Sequence, residues 1–71
     1  MKALTVYRKT ARDIAMGDIT YNSARQTLQV TTTVEPFSAH GITMIVVRSE
    51  DFAGYVSAHC YNADAAVPIY G

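Results

Sequence analysis

His40, His59 and Cys60 are the residues of this 71-residue chain that catalysis would most readily use. His59 and Cys60 are adjacent, and adjacent side chains of a strand point to opposite faces, so the two cannot work as a nucleophile–base pair. Paired carboxylates occur once, at Glu50 and Asp51, in a stretch that reads as a loop where solvent leaves them ordinary. The four glycines are scattered singly and form no phosphate-binding motif. We therefore expect no enzymatic activity.

Metal and cofactor binding have as little support in the sequence. A single cysteine excludes the usual thiolate zinc cage, and the spacing of His40, His59 and Asp64 matches no established metal site. We expect no metal and no cofactor. One cysteine also allows no internal disulfide, which is typical of a reducing compartment. No apolar run approaches the roughly 18 residues that span a membrane, so we expect a soluble, cytoplasmic protein with no membrane partner.

Tyrosines and basic residues are the stronger functional signal, and they indicate binding. The alternation in YVSAHCY separates a polar, aromatic side (Tyr55, Ser57, His59, Tyr61) from a small apolar side (Val56, Ala58, Cys60). Tyrosine combines a large ring with a hydroxyl, which suits protein interfaces and also stacks on nucleobases. If Tyr7 lies on the same side of the sheet, the surface is larger. The alternative is that these rings pair across strands and pack inside the molecule.

Charge is unevenly distributed along a chain whose net charge is zero. Residues 1–25 contain five basic and two acidic residues, and residues 26–71 contain one basic and four acidic residues. This balance does not favour a wholly basic nucleic-acid surface. The basic set is either a partner contact or a solvated surface. Together with the aromatic residues, it gives the predicted partner-binding set: Tyr7, Arg8, Arg12, Arg25, Tyr55, His59 and Tyr61. Phe52, beside two carboxylates, is a further candidate anchor for a basic partner.

The elements that would position these residues are mostly strands. Alternation predicts strands over 3–8 and 18–21, and GITMIVVR (41–48) predicts a central strand with both faces covered. That strand and residues 54–61 predict a hairpin with a five- or six-residue loop. The stretch TARDIAMG fits a helix of two turns or less, and one helix would cover the second face most simply. The tail 62–71 is predicted to be irregular, and Pro68 would confine any last strand to an edge.

The stretch QTLQVTTTVEPF has two interpretations. Read as a strand, it turns one set inward (Leu28, Val30, Thr32, Val34) and the other to water (Thr27, Gln29, Thr31, Thr33). Read as a helix capped by Ser23, it would end on three threonines and a valine, which β-branching disfavours. We prefer the strand. At a sheet edge, its backbone is free to pair with a second copy or a target, so one prediction is a homodimer through an edge strand. The alternative is that threonine only keeps this surface soluble.

The sequence therefore predicts a single domain over residues 1–71 of the α+β class. It would be a small antiparallel sheet of four or five strands with at most one helix, and the alternative is an all-β small barrel. A chain of this length buries only about 60% of its unfolded surface, so its stability is expected to be modest.

One segment, FSAHGITMIVVRSEDFAG (37–54), resembles the aromatic–His-Gly–strand–acidic-turn run of some small phage-encoded inhibitors of the anti-CRISPR type. In that group the element before the His-Gly turn is helical, whereas LQVTTTV here favours a strand. The resemblance implies function by occlusion of a host complex, without chemistry. We thus expect a non-enzymatic interaction protein that masks a protein or ribonucleoprotein partner. The alternative is a single-stranded nucleic-acid-binding module that uses tyrosine stacking.

Overall fold

A computed structural model describes residues 5–71, which form one antiparallel sheet of six strands. The strands are β1 (Val6–Thr10), β2 (Ile19–Asn22), β3 (Thr27–Ala39), β4 (Ile42–Asp51), β5 (Val56–Asn62) and β6 (Ala66–Tyr70). Their spatial order is β1-β6-β2-β3-β4-β5, so β1 and β5 are the two edges. The predicted antiparallel sheet is confirmed, with more strands than expected.

The predicted helix is absent from residues 5–71. Residues 10–17 contain only a 3-10 turn, Ala11–Asp13, after which the backbone becomes extended at Ile14 (φ −64°, ψ 134°). The α+β class is therefore replaced by an all-β fold in the described part of the chain. The alternative of a closed barrel is also wrong, because β1 and β5 do not pair. Residues 3 and 4 of the predicted first strand lie outside the described residues.

The sheet curves so strongly that strands far apart in its order share one hydrophobic core. Ile45 and Val47 of β4 pack with Val67 and Ile69 of β6, although β2 and β3 lie between these strands in the sheet. Three further buried residues complete the core: Ala11, Ile14 and Ala63. We call the side that carries this core the inner face and the opposite side the outer face. Curvature thus encloses the inner face, whereas the outer face, which a helix was expected to cover, stays open in the described part of the chain.

The strand over residues 27–39 is confirmed, but the expected direction of its side chains is wrong up to Thr31 and right at Thr33 and Val34. Gln29 and Thr31 are 3% and 1% exposed on the inner face, whereas Val30 is 39% exposed on the outer face. The pairing of β3 with β4 shifts register between Thr31 and Thr33. Such a bulge inserts one unpaired residue and reverses the side-chain phase beyond it, which brings Val34 onto the inner face opposite Val47.

The far ends of β3 and β4 form an arm that extends beyond β2. They join through a two-residue turn at His40 and Gly41, whose φ angles of 53° and 76° are both positive. Two positive φ values are the signature of a type I′ turn, which matches the twist of a hairpin. The predicted hairpin of β4 and β5 is also confirmed, but its turn has four residues, Phe52 to Tyr55, instead of the five or six expected.

The tail is not irregular: it forms β6, which lies between β1 and β2 rather than at an edge. Only Ile19 and Tyr70 pair in the β2–β6 ladder. Continuing that register would bring Tyr21 opposite Pro68, and proline has no N–H to donate. The ladder therefore ends after one pair, and Pro68 is accommodated at a split between two inner strands.

Candidate interaction surface

The seven residues predicted to bind a partner are distributed over several parts of the molecule. Tyr7 and Arg8 lie on edge strand β1, and His59 and Tyr61 lie on β5 at the opposite edge of the sheet. Tyr7 is paired with Ile69 and therefore belongs to the inner face, whereas Arg8 points to the outer face. The remaining three are outside the strands: Arg12, Arg25 and Tyr55.

Two pairs within that set are in contact. The guanidinium carbon of Arg25 lies 3.9 Å from the centroid of the Tyr55 ring, a cation–π arrangement. His59 and Tyr61 stack with ring centroids 6.1 Å apart and planes inclined by 20°. His59 is exposed and Tyr61 is half-buried, and burial raises the pKa of the Tyr61 phenol. The structure therefore brings four of the seven predicted residues together, as two separate pairs.

The Tyr61 ring also lines the split between β2 and β6. Tyr21, Tyr70 and Pro68 line the same cleft, which has a volume of about 140 Å³. The Tyr21 and Tyr70 rings have centroids 6.4 Å apart. The cleft is a consequence of the proline that ends the β2–β6 ladder, and its volume suits no more than a few small groups.

Most of the basic side chains are already paired with acids. The Nζ of Lys9 donates to Asp18 at 2.9 Å, which raises the pKa of Lys9, and Arg12 pairs with Asp64. Arg25 bonds Asp51 at 3.2 Å, and Arg48 lies 3.7 Å from Glu35. Among the cations of residues 5–71, Arg8 alone has no ion pair. Little positive charge is therefore left unmatched on the described surface.

Asp51 fixes the turn between β4 and β5. Its Oδ1 accepts hydrogen bonds from the backbone N–H of Tyr55 at 3.0 Å and of Ala53 at 2.9 Å, and its Oδ2 accepts from Arg25. The Tyr55 N–H and then the Arg25 and Ala53 donors lower the pKa of Asp51 despite its desolvation. The turn is thus held rigidly, while Phe52 at its tip is 94% exposed.

A continuous row of side chains crosses the outer face on all six strands. Cross-strand partners share a face, and the registers connect one residue of each strand. The row runs Val6, Tyr70, Ile19, Val30, Glu50, Val56. Five of the six residues are apolar or aromatic. Val6, Val30 and Val56 are 57%, 39% and 60% exposed, so the row is accessible to a partner.

A groove of about 450 Å³ opens over the middle of this row. Its apolar walls come from Ile19, Leu28, Val30 and Phe52. Glu50 contributes a carboxylate on the same wall, is exposed, and takes part in none of the ion pairs formed by residues 5–71. We call this surface the outer groove. It combines a mostly apolar wall with one unmatched negative charge.

Sequence reasoning identified Phe52 and its acidic neighbours but missed the rest of the outer groove. Leu28 and Val30 were expected to face the core, and the alternation that carries them is the same whichever side faces water. Apolarity favoured Leu28 and Val30 for the interior, but the pairing with β2 and β4 placed Gln29 and Thr31 there instead. That pairing joins strands that are distant in sequence, so one strand's pattern does not contain it.

Within residues 5–71, no cluster of three or more metal-ligating side chains occurs. No helix of the described residues has the length and apolar character to cross a bilayer. Comparisons of the chain with protein-family models, with curated proteins and with solved structures found no match.

Proposed function

We propose that this chain is a non-enzymatic protein-binding module that occludes a partner by covering part of its surface with the outer groove. The observation that carries the proposal is the apolar row on a sheet face that no other part of the described chain covers. Exposed apolar surface of this kind is a cost in an isolated protein and marks interaction sites. This role agrees with masking by an inhibitor, including the phage-encoded type that residues 37–54 resemble.

Phe52 is the expected anchor of the interface. An aromatic side chain that is 94% exposed at the tip of a rigid turn can enter a pocket of the partner with little loss of backbone entropy. Val30 and Leu28 would form the floor beneath the partner chain. A few such residues commonly supply most of the binding energy in an interface.

Glu50 specifies the charge of the partner. The carboxylate lies among apolar side chains, where a cation of the partner would be partly desolvated on binding. The matching ligand is a segment with aromatic or aliphatic residues and a Lys or Arg between them. A basic partner was also expected from the sequence around Phe52, and in this proposal it binds in the outer groove.

The alternative of single-stranded nucleic acid has less support. Stacking by His59 and Tyr61 would suit bases, but phosphate binding needs free cations, and four of the five described cations are in ion pairs. Of the sequence-based set, Arg25 and Tyr55 lie beside the turn that presents Phe52 and are candidates for additional contacts next to the groove.

Selection from a random peptide library displayed on phage tests the proposal with a defined probe. We expect selected peptides to contain apolar residues with a Lys or Arg. Their affinity should fall at least about tenfold, or 1.4 kcal/mol, in Phe52→Ser and in Val30→Lys. Selection on Glu50→Lys should enrich Asp and Glu in place of the basic residue, because the charge of the groove is reversed.

Phe37→Ser is the matched control. Phe37 is also an exposed phenylalanine, at 57%, but it lies on the arm and does not line the groove. Peptides that bind Phe52→Ser as well as the wild type would contradict the proposal. Loss of affinity in His59→Ala with none in Phe52→Ser would assign binding to the stacked rings of His59 and Tyr61 instead.

A further inference from the structure

Apart from the split between β2 and β6, the sheet of residues 5–71 has three stretches of open backbone edge, and two of them carry protective features. The β1 edge contains Arg8 and Lys9, and charges on an edge strand discourage pairing with another chain. The stretch of β3 beyond β2 contains Pro36, which cannot donate a hydrogen bond. The β5 edge, Val56–Asn62, contains no charged residue and no proline.

The hydrogen bonds at both ends of β5 identify which of its backbone groups face outward. Asp51 N–H donates to the carbonyl of Tyr55, and Ala63 N–H donates to that of Thr43. Antiparallel pairs alternate, so the odd-numbered residues of β5 bond β4 and the even-numbered ones point away from it. The N–H and C=O groups of Val56, Ala58 and Cys60 therefore face outward, with no partner among the described residues.

We propose that β5 pairs antiparallel with β5 of a second copy of this chain, joining two six-stranded sheets at this edge. The proposal does not depend on the outer groove. It replaces the edge-strand dimer expected for residues 26–34, because Gln29 and Val30 are paired on both sides, with β2 and with β4.

The most extensive register places the two-fold axis at His59, the middle residue of β5. Ala58 of each copy then exchanges two hydrogen bonds with Cys60 of the other, and Val56 lies opposite Asn62. All seven residues of the strand are paired in this arrangement. The two Cys60 side chains lie on one face, about 9 Å apart across the axis.

The chemistry of β5 favours a second copy as the occupant. A two-fold axis brings each residue near its own kind, and β5 has no charge that would repel itself. The chain has a net charge of zero, so long-range repulsion between copies is also small. Five of the seven residues are exposed, so no part of the described fold shields the edge. The contact is small, and we expect a Kd of about 10 µM to 1 mM.

Sedimentation equilibrium of the full chain, from about 10 µM to about 1 mM, tests the proposal. We expect the mass to rise from 7.8 kDa towards twice that value. A short bismaleimide should cross-link the exposed Cys60 as a dimer in the same concentration range. A chain that stays monomeric throughout the range would overturn the proposal.

Two substitutions of Ala58 test whether the edge is the contact. Ala58→Pro removes an outward N–H that the β4–β5 ladder does not use, and we expect dimerisation at least about tenfold weaker. Ala58→Glu puts a charge on this edge, as Arg8 and Lys9 do on β1, and should also weaken dimerisation, while Arg48 of the same chain is its cross-strand neighbour and supports the folded monomer. The second variant keeps the test valid if the first does not fold, as judged by circular dichroism.

Thr10→Pro is the matched control. The Thr10 N–H points outward from the β1 edge by the same alternation, and its φ of −65° already suits proline. This variant should dimerise like the wild type. Dimerisation that is unchanged in both Ala58 variants would assign the contact to another surface and overturn the proposal.

Discussion

Ile69 on the inner face is 1% exposed, whereas Ile42 on the outer face of the arm is 55% exposed. The same side chain is thus used in opposite ways on the two sides of one sheet. The described residues form no second layer over the sheet, so curvature covers one face and leaves the other open. The comparison indicates that inner residues maintain the fold and that outer apolar residues are available for binding.

The inner face is itself divided. Its apolar half contains Ile45, Val47 and Ile69, while its other half is polar. There Ser57 donates to the Gln29 side chain at 2.8 Å, and Gln29 donates to Thr20 at 3.2 Å. The hydroxyls of Thr31 and Ser49 are buried next to this network without a hydrogen-bond partner. The interior therefore contains polar groups that the outer face could have exposed to water.

The largest expected effect comes from truncating an inner apolar residue. Ile69→Ala should lower the free energy of unfolding by about 2–5 kcal/mol, since it leaves a cavity in the only hydrophobic core of the described chain. A domain of this size has about 3.5–10 kcal/mol in total. Ile42→Ala is the control on the outer face and should change stability by less than about 0.5 kcal/mol. Urea denaturation measures both, and equal losses would refute the contrast between the faces.

The next largest effect concerns the turn that presents Phe52. Asp51→Asn should lower the melting temperature at neutral pH, because a charged acceptor of three hydrogen bonds becomes a neutral one. The folded-state pKa of Asp51 is below its ordinary value, so its contribution is complete above about pH 4. It is lost as the pH falls through the folded-state pKa.

The melting temperature of the wild type should therefore fall more steeply below about pH 4 than that of Asp51→Asn. Identical acid profiles would show that Asp51 does not hold the turn. Asp18 also has a lowered pKa, because the Lys9 and Ala15 donors outweigh its desolvation, so part of the acid dependence should remain in the variant.

A smaller effect of opposite sign is expected in the polar half of the inner face. Thr31→Val replaces an unpaired buried hydroxyl with a methyl group of similar shape, and should raise the free energy of unfolding by about 1 kcal/mol. The exposed Thr33→Val is the control, with an expected change below about 0.5 kcal/mol. A clear loss of stability in Thr31→Val would mean that its hydroxyl has a hydrogen-bond partner in solution.

The smallest effect on stability is expected at the outer groove. Phe52→Ser removes an aromatic ring that is 94% exposed, so the free energy of unfolding should change by less than about 0.5 kcal/mol. The same variant should lose the binding of selected peptides described above. A stability loss comparable to that of Ile69→Ala would place Phe52 in the fold rather than in an interface.

Local alternation was enough to predict several elements of this protein. It indicated β2, β3 and the β4–β5 hairpin, and the β-branched run ending at Val34 correctly favoured a strand over a helix. These inferences depend on side-chain periodicity and rotamer preferences, which act over a few neighbouring residues.

Only the tertiary structure decided which side of each strand became the interior. A bulge after Thr31 reverses the phase of β3. Pro68 has no N–H to donate, and the β2–β6 ladder ends before reaching it. Both depend on the register between strands that are distant in sequence, which alternation within one strand does not contain. The sequence by itself thus determined that this chain forms strands and turns. The pairing of those strands determined that the sheet curves around a core on one face and leaves an apolar groove on the other.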